Sequence, residues 1–296
     1  MSIDVPAARA FMATHARVLD RRRFELLDGE RDPSAALAAL DGYRNADGGY
    51  GWGLEPDLRS PESQPGAAYH AFEVFEDVAP ATASHAAGLC DWLESVTLAD
   101  GGLPFALPLG TVAGSGPWWR DADRSSSSLQ ITAVTAAGAH RVGARDSTVA
   151  GHPWLERATE YCLGAIERID EAPFAYVLGF CVRFLDAAHD RLPQRVEPLL
   201  GRLAAFVPAD GRLAVRGGTE DEMLHPLDLA PHPGRPARTL FADDVIAADL
   251  ERLADLQQDD GGWVVDYMRI SPAGSLDWRG HATVRAIEVL QRNDAA

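Results

Sequence analysis

The sequence predicts an all-α protein, one domain over residues 1–296 built as a closed ring of helical hairpins, an α/α toroid. Three observations carry this. No segment of any length alternates apolar and polar residues as a half-buried strand does. Instead, about eleven segments place apolar residues at helical spacing. Between them a short turn recurs: Asp47-Gly48-Gly49-Tyr50, Asp100-Gly101-Gly102-Leu103 and Asp260-Gly261-Gly262-Trp263, with Asp210-Gly211-Arg212-Leu213 as a degraded copy. The spacings fit one period near 53 residues if a copy near residue 155 has decayed, and a period of that size marks a repeat architecture. Roughly five or six such hairpins close on themselves as an (α/α) barrel, whereas an open solenoid needs atypical capping repeats, which neither end clearly carries.

Taken in order, residues 5–28 read as one helix, with Pro6 in its first turn and Phe11, Val18, Leu19 and Leu26 as apolar positions. Its Arg21-Arg22-Arg23 run reads as a solvated face. Ser34 can cap a helix from Ala35 to Tyr43. The loop 44–61 then packs four glycines, two aromatics, three carboxylates and two arginines into eighteen residues. Predicted helices follow over 64–75 and 83–96, separated by Pro80. A second long loop, 103–124, holds Trp118 and Trp119, and Ser125 to Ser128 offer N-caps for a helix through Ala139. Further helices are predicted over 153–168, 173–188, 193–206, 241–257 and 276–292, while 215–239, rich in Pro, Gly and His, has the poorest helical pattern.

Composition removes several function classes. The net charge of −17 argues against nucleic acid or an anionic membrane surface as partner. All 27 Lys+Arg residues are arginine, so Schiff-base and P-loop lysine chemistry are excluded. Cys90, Cys162 and Cys181 are scattered through apolar segments, as suits buried free thiols in a reducing compartment. No secretory leader and no membrane span are recognisable, so a cytoplasmic location is expected.

Leu256-Gln257-Gln258-Asp259-Asp260-Gly261-Gly262-Trp263 resembles the QW repeat of squalene-hopene and oxidosqualene cyclases. The same α/α barrel underlies class II terpene cyclases and protein prenyltransferase β-subunits. Within that superfamily the run Asp47-Gly48-Gly49-Tyr50-Gly51-Trp52-Gly53-Leu54-Glu55-Pro56-Asp57-Leu58-Arg59 is similar to short bacterial proteins labelled prenyltransferase-like. The resemblance implies a toroid fold. Such toroids also host thioester proteins and glycan-active enzymes, so the fold alone does not assign a function. The chain departs from the cyclase pattern at the acid motif Asp-x-Asp-Asp. Its nearest match is Asp121-Ala122-Asp123-Arg124, where Arg124 replaces the last Asp, and Asp243-Asp244 lacks the first. The prenyltransferase zinc set is represented only by Asp277 and His281, with no cysteine near a second ligand, so no metal site is expected.

Candidate chemistry rests on few residues. Glu55 and Asp57 can serve as a general acid and base pair, with Arg59 orienting them, or Arg59 can clamp a carboxylate merely to brace the loop. Asp121 and Asp123 are the second candidate acids. Trp52, Trp118, Trp119 and Trp278 lie in loops or at helix starts, where they can line an apolar cavity or pack between repeats; for Tyr50, Phe105 and Trp263 packing is the expectation. His70 and His281 fall on predicted inner helices, as ligand-facing groups or as hydrogen-bonded core residues. The reading is a terpenoid cyclase- or prenyltransferase-like protein that binds or transforms an apolar isoprenoid-type small molecule in a central cavity. No cofactor is expected, magnesium entering only with a diphosphate substrate. The alternatives are a glycan-active barrel with paired carboxylates and a catalytically silent binding toroid.

Overall fold

A computed structural model describes residues 3–29 and 32–295. Their architecture is all-α. Fourteen α-helices are joined by loops, one 3-10 turn (Pro236–Leu240) and a single two-stranded hairpin in which Leu213 pairs with Leu224. That hairpin lies in a stretch too short for an alternating pattern to register.

The first expected helix is two, α1 (Val5–His15) and α2 (Val18–Leu27), broken at Ala16, whose ψ of 148° is extended. Neither Gly nor Pro marks the break. Arg17 explains it, since the turn lets its guanidinium reach the carbonyl oxygens of Gly53 and Leu54 while Nε donates to Asp20 Oδ2 at 2.7 Å. Helices α3 (Pro33–Asp41), α4 (Pro65–Asp77) and α5 (Ala86–Val96) follow the prediction to within a few residues. The short α6 (Pro117–Arg120) lies inside the second loop. Of the four candidate serines, Ser128 caps α7 (Leu129–Gly143), accepting from the Ile131 N–H. After α8 (Ser147–Ala150) come α9 (Pro153–Glu167), α10 (Ala175–Ala188) and α11 (Pro193–Ala204). The chain ends with α12 (Pro226–Leu229), α13 (Asp243–Asp255) and α14 (Pro272–Arg292).

Packing runs from α2 to α4, α7, α10, α12, α13 and α14, and α14 packs back on α2. The order of neighbours is therefore cyclic. Helices α3, α5, α9 and α11 lean on the outer side of this series. The recurring turn is a structural repeat. In all four copies the Asp Oδ1 accepts from the backbone N–H two residues on, at 3.0 to 3.2 Å. The glycine between has positive φ, +93° at Gly48 and Gly101 and +89° at Gly261, where a side chain is strained. Asp47 and Asp100 each also accept from a serine hydroxyl, Ser63 and Ser127, that opens the next inner segment.

Most apolar residues form one core, and a second cluster joins Phe11, Met12 and Phe24 to Trp263, Val284 and Ile287. The three cysteines are buried and free. Among the described residues no helix is long and apolar enough to cross a membrane.

Candidate functional site

Residues of α4, α7, α10, α12, α13 and α14 and of the intervening loops line a cavity of about 1110 Å³ whose walls are mainly apolar, with Trp118, Trp119, Phe180, Tyr267 and Trp278 among its aromatics. This lies at the upper end of small-molecule sites. Of the residues expected at a site, Glu55, Asp57, His70, Trp118, Trp119, Asp123, Trp278 and His281 line it. Three do not. Trp52 is 59% exposed, with φ of 57°, and its indole N–H is taken up by Asn45 Oδ1. Arg59 Nη1 binds Asp277 Oδ2 at 2.6 Å, bracing the loop against α14. Asp121 is exposed beyond the end of α6. Phe105 and Trp263, expected only between repeats, border the cavity as well.

Asp123 sits at the rim and is a poor acid. Hydrogen bonds from the Ser126 and Ser125 hydroxyls and the Ser125 N–H hold its pKa down to about 2. Asp57 is the opposite case. It is buried, its Oδ2 accepts from Trp278 Nε1 at 2.8 Å, and its own N–H donates to Glu55 Oε1 at 3.0 Å. Burial, and then the neighbouring Glu55 charge, push its pKa up to about 7 against the Trp278 hydrogen bond and Arg59. Its carboxyl group thus holds or releases a proton near neutrality.

Behind this pair the two predicted histidines meet through Glu73, which no sequence motif marks. Glu73, on the same face of α4 as His70, receives His70 Nδ1 and His281 Nε2 on one oxygen, Oε2, both at 2.9 Å. Its Oε1 accepts from the Tyr69 hydroxyl at 2.7 Å. His70 Nε2 bonds Glu55 Oε2 at 2.9 Å, completing a line Glu55–His70–Glu73–His281. Burial disfavours the ionised Glu73, but His281 and His70 outweigh it and hold the carboxyl well below its ordinary range. Burial likewise opposes charge on His70, and the hydrogen bonds to Glu55 and Glu73 override it, raising the pKa to about 9. For His281 burial prevails over Glu73, with the His70 and Arg23 charges reinforcing it, so this ring loses its proton more readily than a free imidazole. The signal for Glu73 was a carboxylate three residues after a histidine, set among the apolar residues of α4 ahead of Glu76 and Asp77 at its end.

Compared with known proteins, the chain matches no family model and no curated protein sequence.

Arg23, expected on a solvated face, is 2% exposed and lies behind Glu73, with Nη1 3.7 Å from Glu73 Oε2 and Nε 2.6 Å from Asp77 Oδ2. His70, Glu73 and His281 each offer one ligand atom within 4.8 Å of the other two, a grouping of metal-ligand type. The surrounding charge fits protons better. A divalent ion would have to displace a proton from each histidine and share its carboxylate with a guanidinium. The donors fit a hydrogen-bonded charge cluster rather than a metal centre.

Proposed function

We propose that the protein is a terpenoid cyclase- or prenyltransferase-like toroid that binds an apolar, isoprenoid-type small molecule in its cavity and acts on it by acid catalysis, with Asp57 as general acid. The observation that carries this reading is a buried carboxyl group that keeps its proton near neutral pH at the wall of an aromatic cavity. The cyclic order of helix packing and the four equivalent turns support the toroid. Aromatic faces solvate an apolar chain and stabilise positive charge that develops on it, and their low-dielectric surroundings strengthen that attraction. Glu55 stays beside Asp57 as the charge that makes its proton available. The proposed chemistry uses carboxyl and imidazole groups, and magnesium would accompany only a ligand that carries a diphosphate.

The test is a thermal-shift panel of isoprenyl diphosphates with and without magnesium, squalene-like polyenes, and oligosaccharides. A ligand at about 100 times its Kd stabilises the fold by about 2.7 kcal/mol. Stabilisation by an isoprenoid, retained in Asp57→Asn while product formation is lost, supports the reading. Stabilisation by sugars alone, or by nothing in the panel, sinks it.

A further inference from the structure

An acid that donates a proton to an apolar substrate leaves a cation that must lose one, and the same wall carries a group built to take it. Resting on the reading of the cavity given above, we infer that His281 Nδ1 is the base that partners the Asp57 acid, and that Glu73 is the positioning residue that fixes its tautomer. The Arg23 guanidinium 3.7 Å from Oε2, the His70 imidazolium and the ring N–H of His281 hold Glu73 ionised, so it can only accept hydrogen bonds, and both ring nitrogens that touch Oε2 must carry hydrogen. For His281 that places the hydrogen on Nε2. In the neutral ring the lone pair then lies on Nδ1, which makes no hydrogen bond to any described residue.

Acid and base flank one indole. Trp278 Nε1 holds Asp57 Oδ2, and one turn further along α14 the His281 ring stands with its centroid 5.4 Å from that of Trp278. The His281 ring faces Glu73 and His70 from α4 and Arg23 from α2, so two cations and one carboxylate set its charge. The His70 imidazolium, clamped between Glu55 and Glu73, disfavours a second charge on His281 in the resting state. When His281 does take a proton, Glu73 lies on its far nitrogen to stabilise the imidazolium, the part an orienting carboxylate plays for a catalytic histidine elsewhere.

The step balances without an oxidant. The Asp57 carboxyl proton adds to an alkene carbon, whose π pair forms the new C–H bond and leaves a cation on the neighbouring carbon. His281 Nδ1 removes a proton from a carbon next to the cation, and that C–H pair becomes the new C=C bond. Asp57 is left as carboxylate and His281 as imidazolium, and proton transfer between them through water after release restores both.

Nitrogen-15 labelled histidine in the full chain reads the tautomer directly. The expected spectrum near pH 7 has His281 protonated at Nε2 and bare at Nδ1, with His70 protonated at both nitrogens and titrating at about 9. In Glu73→Gln the His70 midpoint falls by about 1–3 pH units and His281 loses its single tautomer. A wild-type His281 protonated at Nδ1, or unchanged titrations in Glu73→Gln, overturns the assignment. The reaction arm uses squalene in deuterated water. Wild type incorporates deuterium, and His281→Gln and Asp57→Asn each lose about 10²–10⁴-fold of that rate while squalene still stabilises them. Labelling at the wild-type rate in His281→Gln overturns the role of the base. A wild type that neither binds nor labels squalene overturns the reading of the cavity and the base with it, while the tautomer spectrum still reports separately whether Glu73 sets the ring.

Discussion

Asp57→Asn should make the folded protein more stable. The substitution keeps the shape of the side chain and an oxygen to accept from Trp278 Nε1, and removes only the charge. In the folded chain the Asp57 pKa lies at about 7, against 3.8 for the free group. That difference is about 3 pH units, and at about 1.36 kcal/mol per unit the ionised carboxylate costs about 4 kcal/mol of folding free energy. The sign follows from linkage. Because the folded state binds this proton more tightly than the unfolded one, the group costs nothing below the unfolded value, and the cost grows as pH rises towards about 7. Urea unfolding of both proteins at pH 4, 7 and 9 should therefore give curves within about 0.6 kcal/mol of each other at the first pH, with the variant ahead by about 3–4 kcal/mol at the last. A variant no more stable than wild type at pH 9, or a gap that does not change with pH, would refute the premise that Asp57 is held protonated by its surroundings. A buried group whose removal stabilises the fold is retained for something other than folding.

Two further pairs of substitutions test the packing. Arg23→Met should cost about 3–5 kcal/mol by leaving Asp77 and Glu73 short of their buried counter-charge, and a second change, Asp77→Leu, should recover part of the loss; an Arg23→Met protein within about 1 kcal/mol of wild type in urea unfolding would put Arg23 outside the cluster. Gly261→Ala should lose about 3 kcal/mol, because φ there is +89° and the new methyl group would run into the backbone of Ala7, whereas Gly217→Ala, with φ of +83° and open space around it, should lose only the conformational part, about 1 kcal/mol; equal losses at the two positions would mean that α1 does not cover the last turn.

Helix order and the turn repeat were legible because each is local. An Asp-Gly-Gly run specifies its own hydrogen bond and its own positive φ. Glu55 and Asp57 were legible as a pair, and His70 and His281 as singletons on inner helices. What joins them was not. The contact between His70 and His281 spans more than two hundred residues and passes through Glu73, and periodicity gives the face of a helix, not the residue waiting opposite. Arg23 shows the same limit from the other side, since three consecutive arginines point in three directions and the pattern does not mark the one that finds Asp77. The acid motif sought at Asp121 and Asp123 failed for a different reason. A loop rich in serine hydroxyls satisfies a carboxylate and keeps it ionised, so resemblance in spacing did not bring resemblance in environment.

The second apolar cluster imposes a schedule on synthesis. Phe11, Met12 and Phe24 leave the ribosome about 260–276 residues ahead of Val284 and Ile287, which pack against them. At about 5–20 residues per second, the interval is about 14–55 s. For that time Phe11, Met12 and Phe24 lack the apolar partners that Val284 and Ile287 supply. The docking of α14 on α1 and α2 is therefore also the step most exposed to misassociation, and holding chaperones should matter most for this protein while it is still being translated.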